Sequence, residues 1–262
     1  MTAYGTDGVR QRIRLYEGSP YEVELSWSAL SDIGRRRESN QDSYVAVPPV
    51  FAVADGMGGH SAGEIASAAA ARRLSEFSTQ RLVNDRNIED ALIDAVDDIE
   101  VNAGDTELGA GTTVTGVAFG ADPNAACWRV FNIGDSRVYE LADGRLTQLT
   151  VDHSVVQHLL DTGAITEEEA EYHPHANVIT RALGFNEPPS PDFSSLPMKP
   201  GQRLLLCSDG LTKELTEAGI RHFLGAETVA EAARLLVQAA LDNSGRDNVT
   251  VVVIEVHEIL DA

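Results

Sequence analysis

Two kinds of apolar pattern along this chain predict its strands and its helices. Short runs rich in β-branched and other apolar residues predict strands, at residues 21–30, 44–54, 111–119, 127–133, 137–141, 203–207 and 249–256. Apolar residues spaced three and four positions apart predict helices, at residues 61–77, 87–101 and 228–241. Residues 51–54 are apolar throughout, which indicates a central strand buried on both faces.

The turns between these runs indicate how the strands are connected. The Pro48-Pro49 pair is predicted to separate two short strands, and Asp143-Gly144 to form a second turn further along. Gly134-Asp135 is predicted to be the turn of a hairpin between residues 127–133 and 137–141. Because most strands are linked in this way and the helices come in consecutive pairs, we expect two antiparallel sheets packed face to face, with a helix pair covering each.

The chain is expected to form one domain. No Pro/Ser-rich linker separates two apolar halves, so residues 23–262 are predicted to be that single domain. Residues 1–22 are polar and contain glycines, and we interpret them as an N-terminal arm that is either frayed or an edge strand. Residues 153–182 hold short helical pieces and a His-Pro-His patch, which indicates an insert between the sheets.

Charge and cysteine content restrict the partners and the compartment. The formal net charge is -21, so nucleic acids and anionic membranes are poor partners for the bulk surface. The chain has two cysteines and no apolar signal-peptide core, which favours a reducing compartment. No stretch reaches the roughly 18 apolar residues typical of a membrane span. We therefore expect a cytoplasmic protein, monomeric by default, that binds neither nucleic acid nor membrane.

Five aspartates stand in short polar blocks along the whole chain. The blocks are residues 32–42, 55–60, 134–137, 208–211 and 246–250, and they carry Asp42, Asp55, Asp135, Asp209 and Asp247. Singly, such Asp-Gly pairs are typical of turns. Two carboxylates about 4 Å apart repel by roughly 4 kcal/mol at an effective dielectric constant near 20. Converging aspartates must therefore bind cations or protons, and oxygen ligands favour Mg²⁺ or Mn²⁺ over zinc.

In order and spacing these blocks resemble the metal-dependent type 2C (PPM) family of Ser/Thr protein phosphatases, in its bacterial form. The resemblance runs from about residue 25 to residue 256. It implies an α+β fold, a four-layer αββα sandwich of two antiparallel sheets flanked by helix pairs. It also implies hydrolysis of phosphoserine and phosphothreonine in proteins by a metal-activated water, in opposition to Ser/Thr kinases. The implied cofactors are two core Mn²⁺ or Mg²⁺ ions and a third, weaker one.

The resemblance implies a metal-binding role for each matching position. Asp55 is expected to bridge the two core ions, and the backbone carbonyl of Gly56 is expected to be a further ligand. Asp209 and Asp247 are expected to complete the ligands of one ion. Asp135 is expected to bind the third ion together with Asp209.

Two further residues are expected to be catalytic by the same resemblance. Arg37 matches the position of a phosphate clamp, since a guanidinium can bind two phosphate oxygens at once. Asp42 matches the residue that orients a metal-bound water. Met57 stands where animal relatives carry a histidine that protonates the leaving alkoxide, so the general acid stays open. The candidates are a metal-bound water and four histidines, His60, His153, His173 and His175.

Residues 153–182 correspond to the flap of this family, and we hypothesise that they shape substrate choice and occupancy of the third metal site. A cysteine-based phosphatase needs an arginine six residues after its cysteine. Lys213 and Ile133 occupy that offset after Cys207 and Cys127, which excludes this class. A zinc hydrolase is disfavoured because histidine ligands are not clustered.

Two alternatives remain open. One is a dedicated phosphatase of a single regulatory phosphoserine protein, of the anti-sigma antagonist type. The other is a non-catalytic pseudophosphatase that binds phosphoproteins, although such relatives lose metal aspartates that this chain retains.

Overall fold

Two stacked β-sheets form the centre of the molecule. The computed structural model describes residues 1–58, 61–79, 83–103, 109–120, 122, 124–170, 172–185 and 188–261. The first sheet has the order β1-β4-β5-β7-β8-β11, with β6 paired to the end of β5; the strands are Thr2–Gly5 (β1), Asp42–Val47 (β4), Val50–Gly58 (β5), Ala110–Thr112 (β6), Val114–Phe119 (β7), Cys127–Ile133 (β8) and Asp192–Pro197 (β11). The second sheet has the order β10-β9-β12-β13-β3-β2; the strands are Gly8–Arg14 (β2), Tyr21–Asp32 (β3), Arg137–Ala142 (β9), Arg145–Gln148 (β10), Arg203–Cys207 (β12) and Val249–Asp261 (β13).

Helices cover the outer face of each sheet. The helices are Ala62–Ser75 (α1), Asp85–Ala103 (α2), Val155–Asp161 (α3), Glu167–Ala170 (α4), Asp209–Thr212 (α5), Glu217–Leu224 (α6) and Val229–Asn243 (α7), and a 3₁₀ turn spans Glu76–Thr79. The pair α1 and α2 packs on the first sheet, and the pair α6 and α7 packs on the second. The alanine-rich α1 suits this position, because small side chains let a helix lie close to a sheet. No helix in the described part of the chain is long and apolar enough to cross a membrane.

Three apolar layers hold the sandwich together. Side chains alternate across each strand, so β12 sends Leu204 and Leu206 into the space between the sheets and Leu205 towards the helices. The layer between the sheets contains Trp27 and Phe51, whose ring centroids are 5.6 Å apart in an edge-to-face arrangement. These layers confirm the predicted α+β fold of two sheets flanked by helix pairs.

The N-terminal residues form edge strands of both sheets. β1 pairs with β4 in the first sheet, and β2 pairs with β3 in the second. Of the two alternatives for residues 1–22, the edge strand is therefore the one observed. The β1–β4 pairing is parallel, so the expectation of purely antiparallel sheets was wrong at this edge. Antiparallel pairing by a tight turn requires neighbours in sequence, whereas the whole of β2 and β3 separates these two strands.

The predicted hairpin at Gly134-Asp135 was wrong. β8 pairs with β7 and β11 in the first sheet, whereas β9 pairs with β10 and β12 in the second. The short link at residues 134–136 therefore carries the chain from one sheet to the other. Apolar alternation is the same in both sheets, so the pattern did not reveal the crossing. The consequence is that Asp135 lies at the end of the space between the sheets.

Other predicted elements agree with the structure apart from their ends. β5 continues beyond Asp55 to Gly58, and the strand predicted at residues 111–119 is interrupted at Thr113. Asp209 begins the short helix α5 instead of merely following β12. β11 was not predicted, because its alternation is weak and it ends at Pro197.

Candidate active site

The acidic residues lie where the inward faces of the strands change from apolar to polar. On β5 the inward positions are Phe51, Val53 and then Asp55, since alternate residues share a face. β12 is followed by Ser208 on the face of Leu206. At this end of the sandwich a cleft of about 960 Å³ opens; its lining includes Arg37, Asp135, Asp209, Lys213, Arg246 and Asp247.

Asp42 and Asp55 are opposite each other on neighbouring strands, in register between β4 and β5. Asp42 is fully buried, and its Oδ2 accepts hydrogen bonds from Ser208 Oγ (2.8 Å) and Thr250 Oγ1 (2.6 Å). Its Oδ1 is buried with no hydrogen-bond partner among the described residues. Burial raises the pKa of Asp42 to about 6, although the two hydroxyl donors oppose the shift.

The backbone of Asp55 is held by hydrogen bonds to Thr113, and the pKa of its carboxyl group is strongly raised. Its N–H donates to Thr113 Oγ1 (3.0 Å), and its carbonyl accepts from the N–H of Thr113 (2.9 Å). Burial raises the pKa of Asp55 well above its ordinary value, and the charges of Asp42, Asp209 and Asp135 raise it further. The carboxylate of Asp55 is therefore within electrostatic reach of the other acids, as the sequence predicts.

Glycine is required after two of the aspartates, because the backbone there lies very close to the backbone of another segment. A Cβ on Gly56 would lie 2.1 Å from the carbonyl oxygen of Gly63 in α1, and a Cβ on Gly210 would lie 1.9 Å from that of Asn248. Both distances are shorter than any real contact, so a side chain at either position would push the two segments apart. Each Asp-Gly pair thus packs its acid-bearing backbone directly against another part of the site.

Asp135 lies in the link between the two sheets, and its neighbour Gly134 joins this link to the start of the flap. Burial, followed by the charge of Asp209, raises its pKa to about 7, and the charge of Lys213 partly opposes this. The preceding residue, Gly134, donates its N–H to Nδ1 of His153 (3.1 Å) and accepts from the N–H of His153 (2.9 Å). The flap and the loop of Asp135 are therefore connected through one buried histidine.

Two basic side chains hold the remaining aspartates. Nη2 of Arg37 lies 2.7 Å from Oδ2 of Asp247. Nζ of Lys213 forms an ion pair with Oδ2 of Asp209, whose Oδ1 is buried without a hydrogen-bond partner in the described residues. The hydrogen bond to Asp247 raises the pKa of Arg37. Burial opposes the charge on Lys213, but attraction by Asp209 outweighs it and raises the pKa of this lysine.

The loop that carries Arg37 is fixed by a residue that sequence reasoning missed. Asn248 is buried; its Oδ1 accepts from the N–H of Gln41 (2.8 Å), and its Nδ2 donates to the carbonyls of Ile33 (2.8 Å) and Ser39 (3.0 Å). Arg35 is anchored elsewhere, on the carbonyl of Leu241 (2.9 Å). Asn248 stands beside Asp247 in the last of the five polar blocks, but only the folded backbone reveals its contacts.

The flap forms one wall of the cleft. Its base is closed by a bridge between Ser154 and Ile179, and Arg137 binds Asp152 through Nη2 and Oδ2 (2.7 Å) just before it. Gln157 and Tyr172 belong to the cleft lining. The predicted insert therefore lies beside the acidic residues.

The four candidate histidines differ in position. His60 lies outside the described residues. His153 uses Nδ1 to accept from Gly134 and Nε2 to contact Asp192 (3.0 Å), so neither nitrogen is available as a proton donor in the cleft. The ring centroids of His173 and His175 lie 5.5 Å apart with the rings tilted, and neither residue belongs to the lining of the cleft among the described residues.

The donor set fits hard divalent cations, although it is not a closed cage. Within the part of the chain that the structure describes, no three His, Cys, Asp or Glu side chains form a ready metal cluster. Two of the acids are instead paired with Arg37 and Lys213. The fit comes from the unpartnered oxygens of Asp42 and Asp209, the raised pKa of Asp55, and the purely oxygen chemistry of the site.

Comparison with known proteins identifies the family. Residues 33–243 match the family described as protein phosphatase 2C. The Ser/Thr protein phosphatase PstP of Mycobacterium tuberculosis is 40% identical over 243 residues, which are 88% of this chain and 45% of that protein. The Ser/Thr phosphatase stp of Listeria monocytogenes is 37% identical over 239 residues, which are 86% of this chain and 93% of that protein.

A solved structure agrees with these relatives. The catalytic domain of PstP in complex with two manganese ions has a TM-score of 0.78 and 37% identity, and the match covers 89% of this chain and 99% of that one. The chain belongs to the protein phosphatase 2C family. It spans about half the length, 45%, of the M. tuberculosis relative.

Proposed function

We propose that this protein is a metal-dependent Ser/Thr protein phosphatase that opposes Ser/Thr kinases on cytoplasmic phosphoproteins. The observation that carries the proposal is the cluster of aspartates around one cleft, with buried carboxylate oxygens that lack partners among the described residues. The relatives named Ser/Thr protein phosphatases and the manganese complex of PstP support it. We further propose that the enzyme acts as a monomer.

The metal site proposed for this chain uses the residues that match the family. Asp55, the carbonyl of Gly56, Asp209 and Asp247 would hold two Mn²⁺ or Mg²⁺ ions, and Asp135 would share a third ion with Asp209. When bound, such ions supply a nucleophilic water at neutral pH and neutralise charge on the phosphoryl group. Mn²⁺ is the first choice, since a related structure contains it.

The chain's own residues would bind the phosphate and position the water. Arg37 is half-exposed at the cleft, and its guanidinium offers further N–H groups besides the one bonded to Asp247. It would bind two phosphoryl oxygens at once. Asp42 would accept a hydrogen bond from the attacking water through Oδ1, because Oδ2 is engaged by Ser208 and Thr250. Met57 cannot donate a proton, so the leaving alkoxide would be protonated by water.

The flap is proposed to select the substrate. Gln157 and Tyr172 lie in the wall of the same cleft as Arg37, where residues flanking a phosphoserine would pass. Exchanging residues 153–182 for the flap of a relative should change the preference among phosphopeptides. An unchanged preference in a folded, active chimaera would refute this role.

Hydrolysis of p-nitrophenyl phosphate and of a phosphothreonine peptide tests the proposal. We expect turnover with Mn²⁺ or Mg²⁺, and its loss in excess EDTA. The control variant Asp143→Asn should hydrolyse both substrates like the wild type, since Asp143 is exposed in the β9–β10 turn, away from the cleft. Absence of turnover with either metal, in a folded protein, would favour the phosphoprotein-binding alternative instead. Activity confined to one phosphoserine protein would favour the dedicated regulatory phosphatase.

A further inference from the structure

Lysine is rare in this protein, and one of its two lysines lies in the cleft. Lysine and arginine together number 20, but Lys199 and Lys213 are the only lysines in the sequence. Lys213 follows α5, and its N–H donates to the carbonyl of Asp209 (2.8 Å). Side chains four residues apart lie on the same face of a helical turn. The backbone of α5 therefore returns the lysine side chain to the carboxylate of Asp209.

The ion pair uses one carboxylate oxygen of Asp209 and leaves the other. Nζ of Lys213 contacts Oδ2, whereas Oδ1 is buried and has no hydrogen-bond partner among the described residues. The same ammonium acts electrostatically on Asp135. Lys213 therefore stands beside the two carboxylates that the proposed function assigns to a third ion.

We infer that Lys213 is a built-in cation that competes with the third metal ion for Oδ2 of Asp209. The inference rests on the proposed function, which assigns metal ions to Asp209 and Asp135. An ammonium is a compact point charge, so it binds a single carboxylate oxygen much as a metal ion does. A core ion can use Oδ1 without moving the lysine. A third ion held by Asp135 and Asp209 would have to share Oδ2 with the ammonium and would be repelled by its charge, so it would bind more weakly than the core pair.

The test is the number and affinity of Mn²⁺ ions bound, measured by equilibrium dialysis and by the loss of the free-Mn²⁺ electron paramagnetic resonance signal. Wild-type protein should bind two ions, with a third at least tenfold weaker. Lys213→Gln and Lys213→Met, which remove the charge at similar length, should each tighten the third ion at least tenfold. Lys199→Gln is the matched control, since Lys199 is exposed and outside the cleft lining.

A second substitution locates the additional ion. Asp135→Asn in the Lys213→Gln background should remove the gain in affinity and leave two bound ions. Equal affinity for the third ion in the wild type and in both Lys213 variants would overturn the inference while leaving the proposed metal site intact. Absence of any Mn²⁺ binding by folded wild-type protein would overturn the metal assignment and the inference together.

Discussion

The same strands line both the apolar space between the sheets and the acidic cleft, but the buried groups have different surroundings in the two regions. On β5 the inward face passes from Phe51 through Val53 to Asp55. In the apolar part, Phe51 contacts Trp27 and Trp128 edge to face, with centroids 5.6 and 6.3 Å apart. In the acidic part, buried carboxylate oxygens lack partners within the described residues, and the pKa of Asp55 is raised.

This difference separates the source of stability from the proposed source of activity. The apolar part stabilises the fold through burial, which needs no partner of defined chemistry. The acidic part carries an electrostatic cost, because like charges are held close in a poorly solvated place. In the proposed function, bound cations would offset that cost, so the cleft would serve ligand binding while the apolar core serves folding.

The largest effect is expected from removing one charge of the acidic part. Asp55→Asn and Asp209→Asn should each lower kcat/KM at least about a thousandfold. Asparagine has nearly the shape of aspartate but lacks the charge of the proposed metal ligand. The measurement is Mn²⁺-dependent hydrolysis of a phosphothreonine peptide by protein whose circular dichroism matches the wild type. Activity retained in either variant would refute the metal assignment, and Asp143→Asn should behave as wild type.

The next largest effect is expected in the apolar part and on stability alone. Phe51→Ala should lower the free energy of unfolding by about 4 kcal/mol, because a fully buried ring is replaced by a cavity. Urea unfolding measures the loss, and kcat/KM below the transition should change much less. A loss under about 1 kcal/mol would show that the layer between the sheets closes around the missing ring.

A smaller effect is expected at the proposed phosphate clamp. Arg37→Ala should lower kcat/KM about 30-fold, or ~2 kcal/mol, mainly through a higher KM, because a charged hydrogen-bond donor to phosphate is lost. Arg35→Ala removes a nearby arginine that is bonded to Leu241 and should leave KM unchanged. Equal KM changes in both variants would indicate general attraction of the substrate by positive charge instead of a clamp.

A final effect is expected in the pH dependence of stability without metal. The pKa of Asp135 is raised to about 7 from an ordinary 3.8, so the folded state keeps a proton that the unfolded state releases between these values. The stabilisation is full below pH 4 and is lost as the pH rises through 7. In EDTA, Asp135→Asn should therefore gain stability relative to the wild type as the pH rises from 4 to 8, because the mutant has no carboxylate to ionise at this position.

Urea unfolding of both proteins in EDTA at several pH values measures this difference. The control is the same comparison for Asp143→Asn, which should follow the wild type at every pH. Parallel pH profiles for Asp135→Asn and the wild type would contradict the argument.

The sequence predicted those parts of the fold that depend on local pattern. Residues 203–207 and 249–256 were predicted as strands because they are mostly apolar, and most residues of both strands are buried. The hairpin at Gly134-Asp135 was wrong because alternation reports that a strand has an inner face but not which sheet it joins. The parallel pairing of β1 with β4 could not be predicted either, because two strands far apart in the sequence leave no local signal of their pairing.

The site was predictable where residues stand in recognisable blocks and not where folding creates the contact. Arg37 and the aspartates were found because their blocks resemble those of a known family. Asn248, which fixes the Arg37 loop, and Lys213, which binds Asp209, act through the path of the backbone. His153 was considered as an acid, but its Nδ1 accepts from the N–H of Gly134 and its Nε2 contacts Asp192.

The backbone contacts of Gly56 and Gly210 have a consequence for mutational scanning. Neither residue has a side chain, and a Cβ would lie 2.1 Å from the carbonyl oxygen of Gly63 at the first position and 1.9 Å from that of Asn248 at the second. An alanine at either position would displace the neighbouring aspartate and score as severely as loss of the aspartate itself. A map of intolerant positions would therefore outline the site by its glycines as well as by its acids, and a scan alone would not distinguish residues that perform chemistry from those that make room for it.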